Sequence, residues 1–511
     1  MAPTRSRQKT FALLAVCLSA LMFGLEISSI PTILPILEKI LHGDFKQMQW
    51  IMNAYTLACT TVLMAAGTLA DRYGRKRVFV VSLIWFGLAS LACGLARDTA
   101  LLIASRFLQG IGGGAMLICQ AAILSHQFPE KEERGRAFAA WGVIFGIGLG
   151  FGPIIGSAIL ALSSWPWVFL VHVPPTAVTL ALAISGVQES RDPKAQHLDL
   201  PGIVTLSLAV FGLTYAITQG PDLGFTSPVL LGILAATALS FIGFLFAEKI
   251  HPHPMFDFSV FRIPAFSGAI MGSMGMNFSF WPLMIYLPIY FQTCLGYGVV
   301  KAGIYLLAYT LPTLVVPPIA ERFVLRYRPG VVIPSGLFAI GAGFFLMRSG
   351  TDLAHAQWWT MLPGSLLAGI GLGFTNTPVT NTTTASVPSS RAGMASGMDM
   401  SARLITLAIN IATMGFLLVD GTLASLRSRF AGSLEAGQLR VWAGEIASGS
   451  GASMGQVLPA ADVARSALAQ GFDWVLLYGG IGVWALAAIS FLLFRPWRAA
   501  LPSAAAQPAC S

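Results

Sequence analysis

The sequence predicts an all-α polytopic membrane protein: two six-helix bundles plus two inserted spans, fourteen transmembrane helices in all. Three observations predict it. Of 511 residues, 55 % are hydrophobic and only 10 % are charged, well under half the charged share of a soluble domain. Fourteen separate runs are apolar and long enough to cross a bilayer, which takes about 20 residues as a helix. A charged motif also recurs at the same place among the first six and the last six of these runs.

The composition excludes a soluble enzyme, a disordered chain and a disulfide-stapled secreted domain. Too few polar residues exist to cover the surfaces that a soluble chain of this length would expose. The 53 glycines and 29 prolines lie inside apolar runs, where helices in lipid tolerate them. Cys17, Cys59, Cys93, Cys119 and Cys294 also fall in such runs, and Cys510 is at the tail. None makes a CxxC pair, so they read as small apolar residues, with no metal and no cofactor implied. The net charge of +9 lies in short loops, where it sets topology rather than binding nucleic acid.

In chain order the runs are 11–35, 50–70, 78–96, 100–124, 136–162, 166–187, 200–219, 228–247, 264–291, 301–320, 329–348, 358–384, 396–419 and 473–494. Arg5, Arg7 and Lys9 before the first run imitate a signal peptide. The run is too long for one and lacks a small-residue cleavage site, so it reads as the first span. An even count puts both termini on one side. With the termini inside, the inner segments hold twenty basic residues and the outer ones nine, four of those in the long loop 420–472. The positive-inside rule therefore makes both termini cytoplasmic. The expected divisions are a bundle at 1–187, two inserted spans with their linkers at 188–263, a second bundle at 264–494 and a tail at 495–511. The second bundle includes the outer loop 420–472.

The most specific motif is GTLADRYGRKR (67–77), after the second span. Gly67 and Gly74 allow close helix approach and a tight turn. Asp71 suits the positive end of a facing helix. Arg72 and Arg75 follow, and Arg75 is placed to bridge to an acid on another inner loop, with Glu130, Glu132 and Glu133 as candidates. Such a cluster is a latch that is made and broken. PPIAERFVLRYR (317–328) echoes it weakly in the second bundle, which suggests a parallel repeat.

Further motifs follow. Span 1 contains LEISSIPTILP (25–35), span 2 WIMNAYTL (50–57), span 4 RFLQGIGGGA (106–115), span 5 GLGFGPIIGS (148–157) and span 9 LPIYFQTCLGY (287–297). With the latch, these make the chain, from about 11 to 494, resemble the major facilitator superfamily, and its fourteen-span drug:proton antiporter branch in particular. There are departures. Glu26 stands where the family has Asp, Ser28 and Pro31 replace a Thr and a commonly polar position, and Ser157 replaces a glycine. Pro166 and His172, in SSWPWVFLVHVP (163–174), stand where the family usually shows Arg and Asn.

A carboxylate within a span costs about 2.5–3.5 kcal/mol by insertion scales, so Glu26 is expected to face a cavity. A helix rising about 1.5 Å per residue puts Glu26, Arg106 and His172 in one layer of the outer half of the bilayer. Burial favours the protonated acid and a neighbouring guanidinium favours the carboxylate, a balance suited to proton exchange. Glu26 and Arg106 are thus the candidates for proton and substrate coupling. His172 is expected to be a satisfied structural histidine, because the resemblance puts span 6 on the outside of its bundle. Gly148, Gly152, Pro153 and Gly156 form a candidate hinge in span 5, which the resemblance implies bends between the halves. Asp399 and Arg403, spaced i,i+4, read as a local ion pair. The resemblance implies that spans 1, 4, 9 and 12 line the cavity, with Asn277, Trp281, Tyr286, Tyr290, Asn376 and Asn381 as candidates. Such lining suits amphipathic organic molecules.

The expected function is proton-coupled export of small amphipathic compounds by alternating access across a bacterial inner membrane. The partners are the substrate, protons and the lipid bilayer. The alternatives are an importer or metabolite exchanger on the same fold, and a non-transporting receptor. Loop 420–472 holds apolar residues at helical spacing, Leu434, Leu439, Val441, Trp442 and Ile446 among them. It is expected to contact a periplasmic adaptor protein or to cap the chain's own outer face. GASMG (451–455) and GIGGGA (110–115) imitate a hydrolase elbow and a dinucleotide loop without the strands those motifs need.

Overall fold

A backbone in lipid must satisfy its own hydrogen bonds, so the apolar runs become helices. The computed structural model describes residues 5–191, 199–224, 226–250, 258–351, 356–387, 392–430, 436–448 and 461–494, and these contain helices and no strand. The first half holds α1 (Arg5–Leu41), α2 (Phe45–Tyr73), α3 (Arg75–Gly94), α4 (Thr99–Gln127), α5 (Lys131–Leu162), α6 (Pro166–Leu170) and α7 (Val173–Gly186). Then come α8 (Leu200–Leu223) and α9 (Pro228–Ile250). The second half holds α10 (Pro264–Phe278), α11 (Phe280–Ile289), α12 (Val299–Thr310), α13 (Pro312–Val315), α14 (Pro317–Tyr327), α15 (Pro329–Thr351), α16 (Trp358–Ala385), α17 (Ala392–Arg429), α18 (Ala436–Ser448) and α19 (Ala461–Phe494).

The ends and breaks follow from sequence. Asp44 caps α2 through the amide of Gln47, and the Gln47 side chain returns the bond, a capping box. Asp98 caps α4 and Asp199 caps α8 in the same way, through the amides of Leu101 and Gly202. Pro312 and Pro317 open α13 and α14, because a proline cannot donate to the preceding turn. The sixth expected span is split between α6 and α7, with His172 at the break and Pro174 and Pro175 just after it.

Eleven helical segments are long and apolar enough to cross a membrane among the described residues, fewer than the fourteen runs. The three expected runs outside that set, 50–70, 264–291 and 358–384, are helical but more polar or interrupted. α2 carries Gln49, Asn53, Thr56 and Thr60, α16 carries TNTPVTNTTT, and α10 stops at Ser279 before α11 begins.

In the first half α1 packs on α5 and α7, while α2 and α3 pack on α4. In the second, α15 packs on α16 and α19, and α10 and α17 pack on α19. The α8–α9 hairpin leans on α2 and α17 from outside. Leu231, Leu239, Phe241 and Phe246 of α9 are exposed, a surface that suits lipid. The turns before α3 and α15 share a feature. Gly74 has φ 116° and Arg328 has φ 69°, so each echoing motif carries a positive-φ residue just before the next helix.

The halves meet where α2 touches α17, α5 touches α12 and α1 touches α11. Gln49 donates to the Tyr286 hydroxyl at 3.1 Å and to the Ile411 carbonyl at 3.3 Å. Gln292 donates to the Thr32 carbonyl at 3.2 Å. These bonds lie toward the face that carries α18. Toward the opposite face, Gly67 and Gly142 have open space where a side chain would project. α18 lies on α17, α2 and α19. Its Leu439, Trp442, Ala443 and Ile446 are buried, and Trp442 meets the Phe430 ring edge-on. Leu439, Trp442 and Ile446 of loop 420–472 are thus covered by the chain itself, whereas Val441 is exposed; Leu434 lies outside the described residues.

Candidate functional site

Glu26 of α1, Arg106 of α4 and His172 at the α6–α7 break meet in the first half, all essentially without solvent exposure. One guanidinium nitrogen of Arg106 donates to Glu26 Oε1 and, at 2.6 Å, to Gln109 Oε1. Arg106 Nε donates to the Ile51 carbonyl at 3.1 Å. The Tyr55 ring lies under the guanidinium, 4.4 Å from its centroid. Gln109 in turn donates to the Ser90 hydroxyl at 2.9 Å. A buried charge is tolerable only when paired and hydrogen-bonded, and this ladder through α2, α3 and α4 pins the guanidinium. Glu26 Oε2 has a different neighbour: His172 Nε2 at 2.8 Å. Among the described residues neither Oε2 nor His172 Nε2 has a hydrogen-bond partner of good geometry, and the two atoms lie within ion-pair distance of each other. The Phe86 ring meets the imidazole edge-on at 5.8 Å.

His172 therefore is not a bystander on the outside of its bundle; the break between α6 and α7 turns it inward onto Glu26. The helical rise had put all three residues in one layer, but not on one another. The available signal was the paired departure from the family pattern, a longer acid in span 1 together with an imidazole in span 6.

A narrow cavity adjoins this cluster. Phe23, Ile27 and Pro31 of α1, Met52, Tyr55 and Cys59 of α2, Arg106, and Trp281 and Met284 of α11 line it, with Leu404, Leu407 and Ile411 of α17. It holds about 30 Å³, far less than a drug-sized ligand occupies, so occupancy requires the halves to part.

The other candidates distribute as follows. A side chain on Gly148 would strike the α1 backbone, and one on Gly152 or Gly156 would strike Ser28 or Ser29. These glycines therefore seat α5 on α1 within one half. The neighbouring face of α5 meets the other half: Thr310 of α12 donates to the Gly150 carbonyl at 2.8 Å, and Gly303 sits against Ser157 and the Pro153 carbonyl. α5 runs unbroken through Pro153. Trp281 lines the cavity, while Asn277 is buried and bonds back to the Ser273 carbonyl at 2.9 Å. Tyr286 lies in the seam. Tyr290, expected in the cavity, stacks instead on Phe472 of α19 at 4.7 Å, because the π-helical turn at Tyr290–Cys294 rotates it into its own bundle. Asn381, also expected there, is exposed near the end of α16.

Asn376 belongs to a second buried cluster, where Asp399 and Arg403 are more than a local pair. Asp399 accepts from Ser273 of α10 and from Arg403 Nε at 3.2 Å on one oxygen. On the other it meets Arg403 Nη2 at 3.0 Å and Thr380 at 3.5 Å. Arg403 also donates to Asn376 at 2.5 Å and Thr380 at 2.9 Å. Three helices of the second half are tied by one ion pair.

At the latch, the Asp71 side chain lies outside the described residues, and Gly67 makes no close approach because its surroundings are open. Glu133, a candidate partner for Arg75, pairs instead with Lys9. An unforeseen acid, Glu189, occupies the start of α3: its carboxylate accepts from the amides of Lys76 at 3.0 Å and Arg77 at 3.2 Å. A carboxylate there meets the positive end of the helix dipole. Arg72 is exposed and stacks on the neighbouring Tyr73 ring.

Comparison with known proteins places this arrangement. Residues 16–411 match the family model described as Major Facilitator Superfamily. The multidrug resistance protein Stp of Mycobacterium tuberculosis is 30 % identical over 421 residues, 82 % of this chain and 78 % of that protein. The tetracenomycin C resistance and export protein of Streptomyces glaucescens is 30 % identical over 416 residues, 80 % of this chain and 76 % of that one. Among solved structures, a bacterial homologue of the human lysosomal transporter Spinster aligns with a TM-score of 0.66 at 16 % identity, covering 98 % of this chain and 99 % of that one. A D-xylose–proton symporter aligns at 0.59 and 14 % identity over 89 % of this chain and 99 % of that one. The chain belongs to the Major Facilitator Superfamily.

Proposed function

We propose that the protein exports small amphipathic organic compounds in exchange for protons, by alternating access between its two halves. Family membership makes it a transporter and not an enzyme. Support for export comes from relatives named for multidrug resistance and for tetracenomycin C resistance and export. The observation that carries proton coupling is the fully buried Glu26, held by Arg106 beside an apolar cavity between the halves. A buried charge cluster there takes up and releases a proton as the cavity changes access, and the membrane potential adds about 2.3 kcal/mol per charge per 100 mV.

In this reading the chain has fourteen spans and two cytoplasmic termini, in a bacterial inner membrane. The 67–77 motif, with Asp71, Arg72 and Arg75, latches the cytoplasmic face, and Gly152 keeps α5 on α1 as the halves rock. α18 acts as a cap on the outer face. The adaptor reading of loop 420–472 loses its argument here, since Trp442 is used within the chain. The test is transport in inside-out vesicles with ethidium as substrate. An imposed pH gradient should drive ethidium movement, and ethidium should in turn dissipate the gradient. Movement indifferent to the gradient would refute the coupling.

A further inference from the structure

We infer that the His172 imidazole binds the coupling proton, with Glu26 serving as its fixed counter-charge. The inference rests on the proton-coupled reading above and deepens it. Glu26 Oε1 faces the guanidinium of Arg106, which cannot give up its proton in a protein. That cation is the ionic partner of the Glu26 carboxylate. Glu26 Oε2 lies 2.8 Å from the imidazole and accepts no other hydrogen bond among the described residues. Histidine is the side chain whose unperturbed titration falls near neutral pH. An imidazolium removed from water needs an adjacent anion, and Oε2 provides it.

The other groups around this pair do not replace His172. Tyr55 and Cys59 from α2 and Cys93 from α3 are buried and neutral near pH 7. Arg106 from α4 is permanently charged. Gln109 and Ser90 do not titrate. Loading converts the imidazole to imidazolium, with Oε2 beside it, and gives the cluster a net charge of about +1 with the imidazolium, guanidinium and carboxylate all formed. Unloading returns the proton to water and leaves the Glu26–Arg106 pair neutral overall. A cationic substrate near Arg106, Tyr55 and Trp281 at the cavity wall disfavours the loaded state by like-charge repulsion. The two cargoes therefore exclude one another, as exchange requires.

The test combines spectroscopy with transport. In histidine-labelled protein in lipid bilayers, the ring-nitrogen NMR signal that disappears in His172→Asn is assigned to His172. In the wild type it should change from imidazolium to neutral across the pH range over which transport is coupled. In Glu26→Gln it should report neutral imidazole throughout that range. In inside-out vesicles, His172→Asn should lose at least roughly tenfold of its pH-gradient-driven ethidium transport, yet still exchange labelled for unlabelled ethidium with no gradient. A His172 signal that does not change over that range, or a His172→Asn protein that couples as the wild type does, overturns the inference. Wild-type transport indifferent to a pH gradient would instead refute the coupled reading itself, so the two failures are distinct.

Discussion

The two halves each bury one carboxylate against one arginine, and they do so in opposite ways. In the second half every oxygen of Asp399 is taken up by donors that do not titrate near neutral pH: Ser273, Thr380 and Arg403. In the first half Glu26 gives one oxygen to Arg106 and leaves the other to a histidine. The second cluster spreads over α10, α16 and α17 and ties one bundle together. The first adjoins the cavity between bundles. Burial of a charged pair is thus not by itself a sign of function, because a saturated pair is a fastening. The telling feature is the oxygen that is paired with a group whose charge can change.

The sharpest way to break this comparison is to neutralise both acids. Glu26→Gln should abolish pH-gradient-driven transport in vesicles while the protein still inserts, and Glu26→Asp should keep part of it. Asp399→Asn should do the reverse: transport stays coupled, but stability in detergent falls by about 3–5 kcal/mol as Arg403 loses its counter-charge. Thermal unfolding followed by tryptophan fluorescence reads the second effect. If Asp399→Asn uncouples transport and Glu26→Gln does not, the roles assigned to the halves are reversed.

A second comparison targets the glycines that seat the helices bearing each cluster. Gly152 lets α5 lie on Ser28, half a turn from Glu26, and Gly272 lets α10 lie against Val379 and Ile333, one residue from Ser273. Leucine at Gly152 meets the α1 side chain and backbone together, with no flexible neighbour to yield. Transport should fail even where protein is made. Alanine at Gly272 meets only the ends of two branched side chains. That overpacking should cost about 1–3 kcal/mol and leave coupling intact. Wild-type transport by Gly152→Leu would show that α1 and α5 separate there during the cycle.

Much of this was legible in the sequence, and the rest was not for identifiable reasons. Helices and their order follow from apolar runs, and the layer shared by Glu26 and Arg106 follows from helical rise. Rotation about a helix axis does not follow so easily. Tyr290 misleads because a π-turn rotates it toward Phe472, and nothing in YFQTC announces such a turn. His172 misleads because a break between α6 and α7 turns it inward, although Pro174 and Pro175 beside it mark the break. Asp399 and Arg403 were read as neighbours on one helix; their partners Ser273 and Asn376 come from runs more than twenty residues away. Glu189 was invisible as a helix cap because its helix begins more than a hundred residues earlier.

The smallest expected effect separates the clusters most finely. Ser90 and Thr380 are each one hydroxyl that supports an arginine: Ser90 through Gln109, Thr380 by direct contact. Thr380→Val removes one of several donors and acceptors around Asp399 and Arg403. Ser90→Ala leaves the Gln109 amide buried without its acceptor. Each loss should cost about 1–3 kcal/mol, the penalty for an unsatisfied buried polar group. The stability changes should therefore look alike. Their effects on transport should not. Without Ser90, the Gln109 carbonyl is no longer held in place, and the guanidinium can shift from Glu26 toward Gln109. That shift weakens the ionic hold on Glu26 and changes how tightly the neighbouring imidazole keeps its proton. Ser90→Ala should consequently move the pH profile of ethidium transport, while Thr380→Val leaves the profile in place and lowers only the unfolding midpoint. Equal profiles in both variants would mean that the Gln109 ladder positions nothing, and that Arg106 is held by Glu26, Ile51 and Tyr55 without it.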